Sequence, residues 1–277
     1  MSALTSAARL GRCAVVFGLE ELDWLPQIDR LAALRRRFSD RPAVRYQVLG
    51  ERCSGTNFLD RLIAENLPVA PAHAVRWKHG FPDFIAAPAD VVFVVIFREA
   101  LGWISSLYSK PWHADPQLRR HGFSEFIRAK WRSSVDDHRH FRLWRGDSRV
   151  GQPLNADLHP LTGQPFNSVF ELRAAKMAAH LSLPHRGARV VFTTLAEATA
   201  DPAGVIKAVA AACNIAPPGE VKVPEGHFGW TWEERRVTPE RKTDIITPEE
   251  RAYILSRLDL AQERRAGLHY PVLSSVS

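Results

Sequence analysis

The chain has 277 residues, 45% hydrophobic and 24% charged, an ordinary globular composition able to bury a core. A formal charge of +7 favours an anionic ligand, yet the basic residues are dispersed and form no recognised nucleic-acid module, so nucleic acid is not the expected partner. Three cysteines (Cys13, Cys53, Cys213) show no CxxC or other metal-ligand spacing, which argues against a disulfide framework and fits a reducing compartment. No apolar run reaches the roughly 18 residues of a membrane helix. The basic N-terminus lacks acids before Glu20, but its apolar core is only CAVVFGL and no small-x-small cleavage site follows, so the expected location is cytoplasmic.

Residues 20–38, ELDWLPQIDRLAALRRRFS, carry an apolar stripe at helical spacing (Ile28, Leu31, Leu34) and end in a basic cluster, Arg35 to Arg37, that reads as a solvated helix end. RYQVL at 45–49 reads as a short strand ending at Gly50. SGTNFLDRLIAENL then predicts a helix capped near Ser54 or Thr56, with Phe58, Leu59, Leu62 and Ile63 facing inward. VVFVVIF at 91–97 is an unbroken, β-branched run, the pattern of a strand covered on both faces of a parallel sheet. Residues 109–165 differ in texture, rich in Trp, His and Pro, with a helical insert expected around FSEFIRAKWRSSVDDHRHF. Beyond it come a helix (ELRAAKMAAHLSL), a strand (ARVVFTTL), and a helix opened by Asp201 and Pro202. A basic loop then leads into a last helix capped near Thr247. Strands alternating with helices predict an α/β fold with a mostly parallel sheet. With no repeat and no linker, 1–277 reads as one domain carrying a helical extension at 1–40.

The chemistry concentrates at GERCSGTNFLDRLI, residues 50–63. Gly50 and Gly55 have the spacing of the phosphate loop GxxxxGK[ST], but Thr56 stands where the lysine belongs and Asn57 follows. A strand-to-helix turn of this kind points backbone N–H groups and a helix dipole at an anion, with Ser54, Thr56 and Asn57 as further donors. Without the loop lysine there is little to steady a transferring γ-phosphoryl group, and the residue after the buried strand is Arg98 rather than a metal-binding Asp. A cation at the carboxyl end of a parallel strand sits where such sheets bind ligands. His138 and His140, two apart in the expected helical insert, point in different directions and read as a solvated face, so no metal is expected. Trp103, Trp112, Trp131 and Trp144 flank the variable middle, where flat aromatic surfaces suit sugars and ring compounds.

Three segments together, CSGTNFL, WKHGFP (77–82) and FREALGWISSLY (97–108), resemble sulfotransferases that use 3′-phosphoadenosine 5′-phosphosulfate (PAPS). They come in that family's order and with similar intervals, and the later segment ARVVFTTLAEATADPAGVIKAVAAACNI resembles the family as well. The similarity spans about residues 44–110 and 167–255.

The resemblance implies a three-layer fold of the P-loop type, with PAPS as donor co-substrate and no metal. The acceptor would be a hydroxyl or amine of a small molecule or carbohydrate, selected by the insert at 109–165. It implies that Ser54, Gly55, Thr56 and Asn57 bind the 5′-phosphosulfate, and that Arg98 and Ser106 bind the 3′-phosphate. Arg241 and Lys242 resemble the basic loop completing that second site, with Arg235 or Arg236 as alternatives. Phe58 falls where relatives stack an aromatic on adenine, although its spacing suits core packing equally. His79 would be the base.

The sequence departs from the family in two places. Cys53 stands where relatives carry a cation, so either Arg52 or Lys78 would steady the leaving oxygen. The lysine/histidine segment is also one residue longer between His79 and Pro82. The competing readings are a P-loop nucleotide kinase, which needs a loop lysine and a metal carboxylate, and a non-catalytic nucleotide-binding protein of the same fold.

Overall fold

A computed structural model describes residues 43–75, 77–226 and 246–270. The strands are β1 (Arg45–Leu49), the two-residue β2 (Ala70–Pro71), β3 (Val91–Phe97) and β4 (Arg189–Thr194). The helices are α1 (Thr56–Asn66), α2 (Ala100–Ser109), α3 (Phe123–Phe126), α4 (Val169–Leu181), α5 (Leu195–Ala200), α6 (Pro202–Cys213), α7 (Pro248–Ser256) and α8 (Leu260–Arg265). The strands form one parallel sheet in the order β2-β1-β3-β4.

Every residue of β3 is buried, because helices cover both faces of the sheet. On one face Tyr46, Val48, Val92, Val94 and Ile96 pack with Leu59, Leu62 and Ile63 of α1 and with Val205, Ile206 and Val209 of α6. On the other, Leu49, Val91, Phe93, Val95 and Phe97 pack with Met177 and Leu181 of α4 and with Ala266 and Leu268 at the end of α8. The sheet is thus a parallel α/β sheet flanked by helices, and the alternation of side chains along each strand decides which face each residue serves.

The chain leaves β1 for β2 on one side and returns to β3 on the other. The carboxyl ends of β1 and β3 are therefore a topological switch point, where a crevice forms in sheets of this kind. Both the 50–55 loop and Arg98 lie there.

The insert corrects one expectation. The helix anticipated around 123–141 is a single turn, α3, followed by non-helical chain and a 3₁₀ turn at His138–Phe141. Ala114 pairs with Ser133, and Ser134 with Pro153, in antiparallel bridges, while the Asp137 side chain accepts from the Arg139 N–H and caps the turn. The Asp137 side chain competes for a nearby backbone N–H in this way, and together with the backbone bridges it wins over helix propensity. Trp131, Phe126 and Ile127 of the insert still enter a third apolar cluster with α2, α4 and Ile254 of α7.

His180, near the end of α4, is fully buried. Burial, with the nearby Lys176, pushes its pKa down to about 3. Below pH ~6.5 the unfolded chain takes up a proton here that the native chain refuses, so stability falls with pH by about 1.4 kcal/mol per unit until roughly the folded pKa. Urea unfolding of wild type and His180→Gln between pH 7 and pH 5 should show a shallower loss in the variant. Equal slopes would mean that the ring is not held neutral.

Candidate active site at the switch point

The loop leaves β1 through Gly50, where no side chain fits. An added Cβ would stand 2.6 Å from the Ile96 carbonyl oxygen of β3. At the far end Gly55 has φ +96°, and a Cβ there would meet Leu195 at 2.6 Å, so helix α1 starts from a residue only glycine supplies easily. Neither Ser54 nor Thr56 caps α1. Among the described helices of nine residues or more, α1 alone has no side-chain cap, and its first turn has no acid. The Ser54 hydroxyl instead donates to the Glu51 carbonyl at 2.6 Å and closes the turn. Phe58 is half-buried against the α1/α6 side of the core.

Lys78 and His79 are clipped to this loop. Gly50 N–H donates to the Lys78 carbonyl (3.0 Å), and His79 Nδ1–H donates to the Gly50 carbonyl (2.7 Å). The carbonyl can only accept, which places the proton on Nδ1 and the ring's lone pair on Nε2. Burial, and next the charge of Lys78, push the His79 pKa well below 6.5, offset in part by the Gly50 bond. The imidazole is therefore neutral at physiological pH, with its lone pair on Nε2. The Lys78 ammonium donates to Asn57 Oδ1 in the first turn of α1 at 2.5 Å. A cation from the β2–β3 connection thus stands beside the helix start whose own loop lacks one.

Arg98 and Ser106 meet the loop from the other side. Arg98 Nη1 donates to the Cys53 carbonyl at 2.9 Å, and the Cys53 thiol, with Ser106 beside it, donates to the Lys110 carbonyl at 4.0 Å. Cys53 has φ +63°, and burial pushes its thiol pKa up, the opposite of an activated nucleophile. Arg98 is itself held: its carbonyl accepts from Arg173, which makes a buried pair with Glu263 (2.7 Å), and Glu263 accepts from the Tyr270 hydroxyl.

Comparison with protein-family models, with curated proteins and with solved structures finds no match to this chain. The site therefore rests on its own geometry.

That geometry includes a network the sequence reading did not find. The Arg52 guanidinium is committed to Asp157 (2.6 Å) and the Trp112 carbonyl (3.2 Å), and is stacked near Trp77 and Trp131. Lys176 donates to the other oxygen of Asp157 and to the His79 carbonyl (2.7 Å). Burial alone would raise the Asp157 carboxyl; Arg52 and Lys176 hold it well below the usual range. Gly50, Arg52, Asp157, Lys176 and His79 thus form a closed circuit that fixes His79 relative to the loop. Glu51 is buried in the field of Lys176, Arg173 and Arg52, and burial nevertheless raises its pKa. No motif marks Asp157 or Lys176, which lie 105 and 124 positions beyond Arg52; only folding joins them.

The structure brings together Ser54, Gly55, Thr56, Asn57, Lys78, His79, Arg98 and Ser106, and turns the Arg52 side chain into the buried network. Arg241, Lys242, Arg235 and Arg236 lie outside the described residues, as does the extension at 1–40. Of the tryptophans, Trp103 and Trp131 are core residues and Trp144 is 68% exposed. Trp131, with Arg132, Ser133 and Asp157, also lines a cavity of about 240 Å³ within the insert.

Proposed function

We propose that the protein is a PAPS-dependent sulfotransferase built on a P-loop-type fold. The observation that carries this reading is the convergence of two separate segments on one loop: from 77–82, His79 on the Gly50 carbonyl and Lys78 on the Asn57 side chain, and from the end of β3, Arg98 on the Cys53 carbonyl with Ser106 beside the Cys53 thiol. An uncapped helix start offers N–H donors to a 5′-phosphosulfate, and the strand-end Arg98 with Ser106 offers a charged donor and a hydroxyl to a 3′-phosphate. A triphosphate would ask for the lysine and the metal carboxylate that the loop and the β3 end do not carry.

In this proposal the acceptor oxygen bonds to sulfur as the sulfur–oxygen bond to the 5′-phosphate breaks in line. The hydroxyl proton passes to His79 Nε2, and 3′-phosphoadenosine 5′-phosphate (PAP) leaves. Lys78 takes the place of the cation missing at Cys53, because Arg52 is committed to Asp157, and with the α1 amides it steadies the charge developing on the leaving phosphate. The proposal assigns no step to a metal. The acceptor is a hydroxyl or amine compound admitted on the side of the 109–165 insert.

The test is isothermal titration with PAP, 5′-AMP and ATP, with and without magnesium. PAP should bind without metal and about 10–100-fold more tightly than 5′-AMP, the worth of one charge-assisted phosphate contact. Arg98→Ala should erase that difference. A preference for ATP with magnesium would overturn the proposal in favour of a phosphotransferase. PAP binding with no turnover on any hydroxyl or amine acceptor would leave a nucleotide-binding protein.

A further inference from the structure

We propose that His113, Asp136 and His140 form a binding site for a late first-row divalent cation, with zinc the best fit. Each residue offers one ligand atom, and the three atoms lie within 4.8 Å of one another. Among the described residues this is the one such grouping of histidine and acidic side chains. Two imidazoles and one carboxylate are the donors such cations favour, and three protein ligands leave a fourth position open for water or a ligand.

The scaffold that gathers them is specific. The bridge between Ala114 and Ser133, with the Ser134 N–H donating to the His113 carbonyl at 2.9 Å, sets the His113 segment beside the chain leading to Asp136. The 3₁₀ turn capped by Asp137 then carries His140 back over Asp136. His113 Nδ1 is 2.7 Å from Asp136 Oδ1, and His140 Nδ1 is 4.0 Å from that same oxygen, beyond hydrogen-bond reach. A shared proton explains the first distance. The second leaves His140 turned toward a carboxylate that it does not bond, and a cation among the three atoms would satisfy both imidazoles at once. A tetrahedral ion needs ligand atoms about 3.3 Å apart, given bonds of about 2 Å. The first distance must therefore open slightly, by a small shift of the His113 ring, and the second close, by side-chain rotation of the exposed His140.

Asp136 Oδ2 accepts from Arg119 at 2.7 Å. That bond leaves Oδ1 as a monodentate ligand and fixes its direction, as outer partners of metal ligands do. The Arg119 charge also opposes a cation, so this carboxylate cannot be protonated or lost without abolishing the site. His138, adjacent in sequence, faces Asp137 instead (3.5 Å) and is not a ligand. Helical spacing had set His138 and His140 apart as surface residues; the true partners of His140 are four and 27 positions earlier.

An ion here would tie the two halves of the insert together beside Trp77, whose ring contacts both His113 (5.6 Å) and His79 (5.3 Å). It would stiffen one wall of the candidate site. The inference does not depend on the transferred group being a sulfonate.

The test uses the full chain, stripped with chelator, dialysed, and titrated with zinc chloride by calorimetry; cobalt(II) serves as the spectroscopic probe of geometry. One equivalent should bind, raise Tm, and give the intense visible bands of low-coordinate cobalt. Asp136→Asn and His140→Ala, the latter at an exposed position, should each weaken binding by at least about 10–100-fold and abolish the Tm rise. His138→Ala should behave as wild type. The proposal is overturned if no stoichiometric binding occurs, or if binding survives both substitutions, which would place the ion elsewhere in the chain. PAP titration of the same variants should be unchanged.

Discussion

Asp157→Ala lowers the unfolding free energy by about 3–5 kcal/mol, because it leaves two buried cations without their anion. Asp157 has no exposed side-chain surface, Lys176 1% and Arg52 6%, so water does not replace the lost carboxylate. Lys176→Met should cost less. It leaves the Arg52–Asp157 pair intact and puts an apolar chain of similar length in the space. Urea unfolding at pH 7 checks the order of the two variants. A loss below about 1 kcal/mol for Asp157→Ala, the range of an exposed ion pair, would show that the carboxylate is reached by solvent. A second readout separates structure from positioning. Lys176 holds the His79 carbonyl, so Lys176→Met should also lower turnover at a temperature where the variant remains folded.

If the proposed reaction holds, His79→Asn should reduce sulfonate transfer by about 10²–10⁴-fold, the usual worth of a positioned general base. Asparagine is the informative substitution, since its amide nitrogen keeps a donor near the position of Nδ1. The bond to the Gly50 carbonyl, and with it PAP affinity, should persist while the Nε2 lone pair is lost. The pH profile gives a sharper check. The folded His79 pKa lies well below 6.5, so the basic form is already complete at neutral pH. Then kcat/KM should be flat from about pH 6.5 upward and fall only on the acid side, through the lowered pKa; His79→Asn should lose that acid limb. A limb centred above 6.5, or one unchanged in the variant, would assign the base elsewhere. Glu51, buried next in the loop with a raised pKa, would then be the residue to replace.

Some of this was legible in the residues alone. RYQVL and VVFVVIF became β1 and β3 with the expected bounds: the β-branched VVFVVIF run suits a strand covered on both faces, and RYQVL ends at the turn glycine Gly50. Asp201-Pro202 and Thr247 mark helix starts in the structure as in the sequence, since capping is a local hydrogen bond needing no distant partner. The glycine spacing at 50 and 55 likewise marked the place where chain must pass against chain.

Other features depended on neighbours that the sequence does not display. The insert's helical pattern failed because Ser133 and Asp136 found a backbone and an arginine partner earlier in the chain, and because Asp137 caps a local turn at Arg139. Arg52 looked like a cation for the loop, yet its guanidinium is bound to Asp157, 105 residues away. The protonation of His79, the depressed carboxyl of Asp157 and the meeting of His113 with His140 all follow from burial and from distances below 6 Å across the chain. Local sequence thus determined β1, β3 and β4, the helix starts at Asp201 and Thr247, and the glycine turn between β1 and α1. Tertiary structure decided which charges face one another, because electrostatics in a dry interior is set by distance in space and by lost water, and neither is written in residue order.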